Sequence, residues 1–200
     1  MRRLILLTVF FWMAQFAGAQ QGIVEYPNGR ISAEVGSRIK ECLSVQEKSN
    51  WCWAACVQAV LRFKGSSNTQ RSIVKQVLGK LDNEKIGAQT LVFGLNNWEA
   101  NGIVVTAAEE SPIDMRRIVK AISSNQPLIV GMDTGSQNHA MILVGIEFAK
   151  DATREGKINP IRAILLDPSK QSAPLVSMGW KRFFNRVGMV LNVDINTNLH

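Results

Sequence analysis

The stretch Gln46-Glu47-Lys48-Ser49-Asn50-Trp51-Cys52-Trp53-Ala54-Ala55-Cys56 sets a glutamine six residues ahead of a cysteine that opens an alanine-rich apolar run. Asn50 is a good helix N-cap candidate. Trp53, Ala54, Val57, Val60 and Leu61 recur at helical spacing before Gly65, so the spacing predicts a helix over about 51–64. Cys52 then lies in the first turn, where unpaired backbone N–H groups and the helix dipole favour a thiolate. An isolated cysteine is more often an inert core residue. Gln46, within reach of a developing oxyanion, turns the reading towards a nucleophile, with the Gln46 side chain and the Cys52 N–H as its donors.

Working outward, residues 20–40 carry turn formers and little periodicity, and read as a loose arm with a short strand at 31–35. Helices are predicted over 72–81 and 88–100, the second stopped by Asn101-Gly102. Ile103 to Thr106 is β-branched and reads as a strand. Ser111-Pro112 opens a further helix carrying Met115, Ile118, Val119 and Ile122, with proline at its first position. Strands follow at 127–132, 139–148, 162–167 and 187–195, with the polar stretch 149–160 as a hairpin loop. Helices gather in the first half and strands in the second, an α+β pattern of two packed lobes in one domain.

A cysteine nucleophile needs a base. His139 is the one histidine in the chain besides the terminal His200, and it starts an apolar strand after a polar loop. The base needs an orienting partner. Asp167 leaves the strand Ala163-Ile164-Leu165-Leu166 and precedes Pro168; it is equally a common turn starter. Asp133 competes for the role but is close in sequence to His139 and falls in a loop. Trp51, Trp53 and Trp98 read as core or cleft wall, with Trp53 behind the nucleophile. Trp180 reads as core or as a neighbour of the His–Asp side.

Met1-Arg2-Arg3, an apolar run from Leu4 to about Met13, and Ala17-Gly18-Ala19 together read as a secretory signal peptide cut after Ala19. The run is short of the roughly 20 residues that span a bilayer, and no lipid-bearing cysteine follows it. The expectation is an exported protein, periplasmic or secreted, without stable membrane insertion after cleavage. The expected division is a signal at 1–19, an arm at 20–40 and one domain at 41–200. Loss of Arg2 and Arg3 brings the formal charge from +7 to +5. Lysines such as Lys75, Lys80, Lys120, Lys157, Lys170 and Lys181 are scattered without a basic–aromatic run, so no nucleic-acid partner is expected. The three cysteines, Cys42, Cys52 and Cys56, suit a disulfide pair plus one reactive thiol. Two histidines and no second paired-ligand motif make a metal site unexpected, and no cofactor is called for.

Gln46-x5-Cys52-Trp53-Ala54, then Asn138-His139 before an apolar strand, then Leu166-Asp167-Pro168, resemble the papain-like cysteine proteases. The resemblance covers roughly 41–195. It is greatest to a compact bacterial branch, the secreted effector proteases of plant pathogens, with the leader-peptidase domains of bacteriocin exporters as second relatives. It implies a papain-like fold: an N-terminal helical lobe whose catalytic helix packs on a C-terminal antiparallel sheet lobe. It also implies a monomeric peptidase acting on a peptide or protein through Cys52, His139, Asp167 and Gln46. Papain's third member is Asn; Asp167 follows the compact branches. The usual cleft-disulfide cysteine before the nucleophile is Ser49 here, which implies instead a Cys42–Cys56 bridge. The arm at 20–40 is shorter than the usual inhibitory prodomain. Two other readings stay open: a different acyl-transfer enzyme on this scaffold (amidase, deamidase or transglutaminase-like), and an inactive binding or toxin module.

Overall fold

A computed structural model describes residues 23–27, 31–100, 102–135, 138–149, 159–172 and 174–197. The expected signal peptide lies outside them, as does most of the 149–160 loop. The helices are α1 (Arg38–Cys42), α2 (Cys52–Phe63), α3 (Gln70–Leu78), α4 (Ala88–Leu95), α5 (Met115–Ser123) and α6 (Trp180–Phe184). The strands are β1 (Ile23–Glu25), β2 (Ile31–Glu34), β3 (Trp98–Ala100), β4 (Ile103–Glu109), β5 (Leu128–Asp133), β6 (Asn138–Phe148), β7 (Pro160–Leu166), β8 (Leu175–Gly179) and β9 (Val187–Thr197). Among the described residues all nine strands join one antiparallel sheet in the order β1-β2-β6-β5-β9-β4-β3, with β7 added on β6 and β8 on β7.

Helices packed on an antiparallel sheet make this an α+β fold, as the sequence pattern predicts. β6 is its centre: β5 and β2 share one edge end to end, and β7 takes the other. From Ala140 to Phe148 every β6 residue is buried, which requires cover on both faces. Helices α2 and α5 both pack on it. Ala54, Ala55 and Ala59 have no exposed surface; such small side chains let the α2 backbone come close to the strands. The arm is less loose than its composition suggests: β1 and β2 form a hairpin, and Ile31 and Ala33 are buried.

Several element ends differ from the sequence reading, each for a local reason. Asn50 does not cap α2; Trp51 holds the cap position, and its side chain makes no capping bond. Helix α3 starts earlier than expected because Thr69 and Ser72 form a reciprocal capping box, and it stops at Gly79 in the left-handed region. Helix α4 ends at Leu95, well short of 100. Asn97 is left-handed, its N–H donates to Val105, and Asn96 Oδ1 accepts from the Ala107 N–H, so β4 draws the chain out of the helix into β3. Helix α5 starts at Met115 because the Asp114 carboxylate caps the Arg116 N–H at 2.8 Å, leaving Pro112 outside it. The strand β8 and the short helices α1 and α6 carry too few residues for a periodic signal and were not read from sequence.

Candidate active site

Cys52 is the first residue of α2, so its position follows from the helix start. His139 is the second residue of β6, and Asp167 leaves the end of β7. The β6–β7 register pairs Ile142 with Leu166, which carries His139 and Asp167 to the same end of the ladder. His139 Nε2 lies 2.7 Å from Asp167 Oδ1. That occupies Nε2 and leaves Nδ1 towards Cys52, whose thiol is hydrogen-bonded to the imidazole. The Ala140 N–H donates to Cys52 Sγ at 3.4 Å. Three of the residues singled out from sequence therefore meet at one point.

The electrostatics follow from that contact. Burial by itself raises the Cys52 thiol; hydrogen bonds from His139 and Ala140, the imidazolium charge and the Trp53 N–H outweigh it and bring the thiol below its ordinary value. Burial pulls His139 down, but Asp167 and the Cys52 thiolate more than reverse it, to about 9. Asp167 is opposed by burial too, yet His139 and both groups of Ser169 lower it to about 2. Ser169 Oγ and N–H donate to Asp167 Oδ1 at 2.6 and 2.9 Å. Sequence reading missed Ser169, although Asp167-Pro168-Ser169 is a turn in which an aspartate commonly accepts the N–H two residues on.

Gln46 is not brought onto Cys52: in this conformation its amide faces its own loop. Nε2 donates to the Lys48 and Ser49 carbonyls at 2.9 and 2.8 Å, while Oε1 is buried without a partner. The Gln46 N–H donates to the Pro168 carbonyl at 3.0 Å, tying the loop before Cys52 to the Asp167 turn. Fully buried Gln70 of α3 holds the same loop, accepting from the Glu47 N–H and donating to the Val45 carbonyl. Asp133 is exposed, and its carboxylate accepts from the Gly135 N–H at 2.7 Å; His139 is oriented by Asp167 instead.

All three cysteines are free thiols, so the expected Cys42–Cys56 bridge is not formed. Cys56 sits wholly buried one turn behind Cys52, near enough to Cys52 and Asp167 that burial and both charges push its thiol well up. Cys42, at the end of α1, is likewise buried in the core. Trp180 also belongs to the core, with its ring 5.1 Å from that of Phe183. Trp51 and Trp53 are buried, and Trp53 lines the cleft.

Cys52 and His139 open into a cleft of about 450 Å³. Ile86, Ala88, Leu91 and Met189 make an apolar floor, and Lys85, Glu109, Asp133 and Arg186 bring charge to it. Among the described residues no three His, Cys, Asp or Glu side chains are grouped to hold a metal ion, and no helix is long and apolar enough to cross a membrane.

A family model described as papain-like cysteine protease AvrRpt2 matches residues 36–186. Among solved structures, the chain is similar to the peptidase domain of Streptococcus ComA, a bi-functional ABC transporter in a quorum-sensing pathway. The two share 17% identity at a TM-score of 0.53, over 76% of this chain and 96% of that one. A double glycine motif protease from an AMS/PCAT transporter, solved with its leader peptide, aligns at 15% identity and a TM-score of 0.47, over 76% and 89%. The first likeness is one of fold. No curated protein sequence matches the chain.

Proposed function

Because this chain belongs to the family of the papain-like cysteine protease AvrRpt2 and is a cysteine peptidase, we propose that it hydrolyses peptide bonds through a Cys52–His139–Asp167 triad and an acyl-enzyme. The observation that carries this reading is the contact of one imidazole with both the Cys52 thiol and the Asp167 carboxylate. The Cys52 thiolate adds to the scissile carbonyl carbon, and the carbonyl oxygen takes the negative charge. The Cys52 N–H donates to that oxygen. The Gln46 amide joins it by exchanging one of its loop contacts for the oxyanion, which as a full charge is the stronger acceptor.

His139 then gives its Nδ1 proton to the leaving amine nitrogen as the C–N bond breaks, leaving a thioester on Cys52. Water enters; His139 takes one of its protons as the oxygen adds to the thioester carbon. Collapse expels the Cys52 thiolate and frees the acid, and the proton stays on His139. Asp167 holds the imidazole by Nε2 throughout and stabilises its charged form.

The same proposal includes export of a monomer after removal of residues 1–19, with 41–200 as the peptidase domain. Cys52→Ala is expected to abolish both peptide-library cleavage and labelling by a thiol-directed epoxide or vinyl sulfone. Labelling that survives the substitution removes Cys52 as the nucleophile. Export predicts an N-terminus at Gln20 in the exported fraction, read by intact mass.

A further inference from the structure

The segment between α3 and α4 holds the chain on both sides of Cys52. Asn83 Oδ1 accepts from the Asn50 N–H at 3.0 Å, and the Asn83 carbonyl accepts from Asn50 Nδ2 at 2.7 Å. Asn83 Nδ2 donates to Ser49 Oγ at 2.9 Å. The indole N–H groups of Trp51 and Trp53 donate to the Asp82 and Glu84 carbonyls at 2.7 and 3.1 Å. The next residues, Lys85, Ile86 and Gly87, line the cleft. One connecting segment is therefore both cleft wall and brace of the nucleophile.

Asn50 makes this more than a brace. An asparagine side chain ahead of a helix ordinarily accepts from the backbone N–H two residues on, or caps the first turn. From Asn50 the residue two positions on is Cys52. That local bond would occupy the very N–H on which an oxyanion depends. In this structure it is not made: α2 has no side-chain cap bond, and the Asn50 amide is turned to Asn83.

We infer that Asn83 is a positioning residue that holds Asn50 away from the α2 N-terminus and keeps the Cys52 N–H free for the oxyanion. The inference rests on Cys52 as nucleophile. In the resting enzyme, the Asn83 carbonyl holds the Asn50 side chain, and the Asn83 side chain, bonded to the Asn50 N–H and to Ser49 Oγ, sets that carbonyl in place, so Asn50 cannot swing onto Cys52 without losing the Nδ2 bond. The benefit falls in the transition state, when the oxyanion forms, and so in kcat more than in KM.

The test compares Asn83→Ala, Asn83→Asp and the double variant Asn50→Ala/Asn83→Ala on a peptide substrate of the wild-type enzyme. In parallel, the pH dependence of Cys52 alkylation by iodoacetamide is followed. Asn83→Ala keeps the carbonyl but removes the side chain that sets it against Asn50, and is expected to lower kcat by about tenfold or more, the scale of losing one oxyanion donor in part, with KM little changed. Its alkylation profile should stay as in the wild type, because the His139–Asp167 side is untouched; a misfolded variant would alkylate as an ordinary thiol. Asn83→Asp, which keeps an oxygen for the Asn50 N–H, should remain close to wild type. The double variant should recover most of the lost kcat, because no Asn50 amide remains to occupy the Cys52 N–H. A kcat for Asn83→Ala within twofold of wild type, or a double variant no faster than Asn83→Ala, overturns the inference. If Asn83→Ala does not fold, Asn83→Ser takes its place with the same expected outcomes. Wild-type enzyme that keeps its activity after Cys52 is alkylated would instead defeat the underlying reading of the nucleophile.

Discussion

His139 Nε2 and Asp167 Oδ1 stand 2.7 Å apart although 28 residues separate them in sequence. The pairing of β6 with β7 creates the contact, and Ser169 fixes the carboxylate within it. The contact holds His139 protonated up to about 9, while the Cys52 thiol is brought below its ordinary value. Between those two ionisations the thiolate and imidazolium coexist. The plot of kcat/KM against pH is expected to be a bell whose rising limb lies below the ordinary thiol value and whose falling limb lies near 9. A fluorogenic-peptide assay across pH 4–10 checks it; a rising limb at the value of a free thiol counts against the ion pair.

The same contact links stability to pH. Asp167 is lowered to about 2, so its contribution is present above its unfolded value near 4 and is lost as pH falls towards 2. His139 is raised to about 9, so its contribution is complete below its unfolded value near 6.5 and is lost as pH rises towards 9. Asp167→Asn is therefore expected to lower Tm most between about pH 4 and 6.5, by a few degrees, and progressively less outside that window. Its kcat should fall at least tenfold, since the imidazole loses its orienting charge. Asp133→Asn, at an exposed carboxylate bound to its own loop, should leave kcat nearly unchanged. Thermal melts against pH and steady-state kinetics separate the two.

The cysteines differ enough to be told apart chemically. Cys52 is partly accessible and activated, whereas Cys56 is completely buried with its thiol pushed up, and Cys42 is buried at the end of α1. One equivalent of iodoacetamide at neutral pH should mark Cys52 alone, read by peptide mass mapping. In denaturant without reductant all three thiols should titrate. A single titrating thiol would restore the cystine that the cysteine count first suggested.

Gly94 tests the packing of α3 on α4. A Cβ there would lie 2.8 Å from Val77 Cα, and backbone cannot move aside as a flexible side chain can. Alanine at an exposed helical site gains about 1 kcal/mol over glycine, but here overpacking costs about 1–3 kcal/mol. Gly94→Ala is expected to destabilise the fold on balance, and urea unfolding measures it. Phe93, the residue just before it, is 87% exposed, so Phe93→Ser should change stability little.

How much of this was legible depends on how local each signal is. The α2 helix, the β6 and β9 strands and the apolar β5 run carry their period within a few residues, and sequence reading located them. Helix α4 was overrun because Trp98 extends its apolar period, while the bonds that end it come from β4. Ser169 lay within an Asp-Pro-Ser turn and was open to recognition. Asn83 was not: nothing in Leu81-Asp82-Asn83-Glu84 distinguishes it from any polar loop until Asn50 is seen beside it.

By itself the sequence determined the chemistry on offer. It contains one cysteine at a helix start, one histidine inside the chain, an aspartate after an apolar strand and a glutamine six residues before the cysteine. Residue type and short-range spacing carry that information, and strand and helix periods follow from the same local rules. Only the tertiary structure set Asp167 rather than Asp133 against His139, left the three thiols unpaired, turned the Gln46 amide onto its loop and set Asn50 against Asn83. Each of those outcomes depends on strand register or on loops meeting across tens of residues, and no local preference encodes that. Even the N-cap expected at Asn50 was reversed by a partner 33 residues away, because a fixed tertiary hydrogen bond replaced the local one.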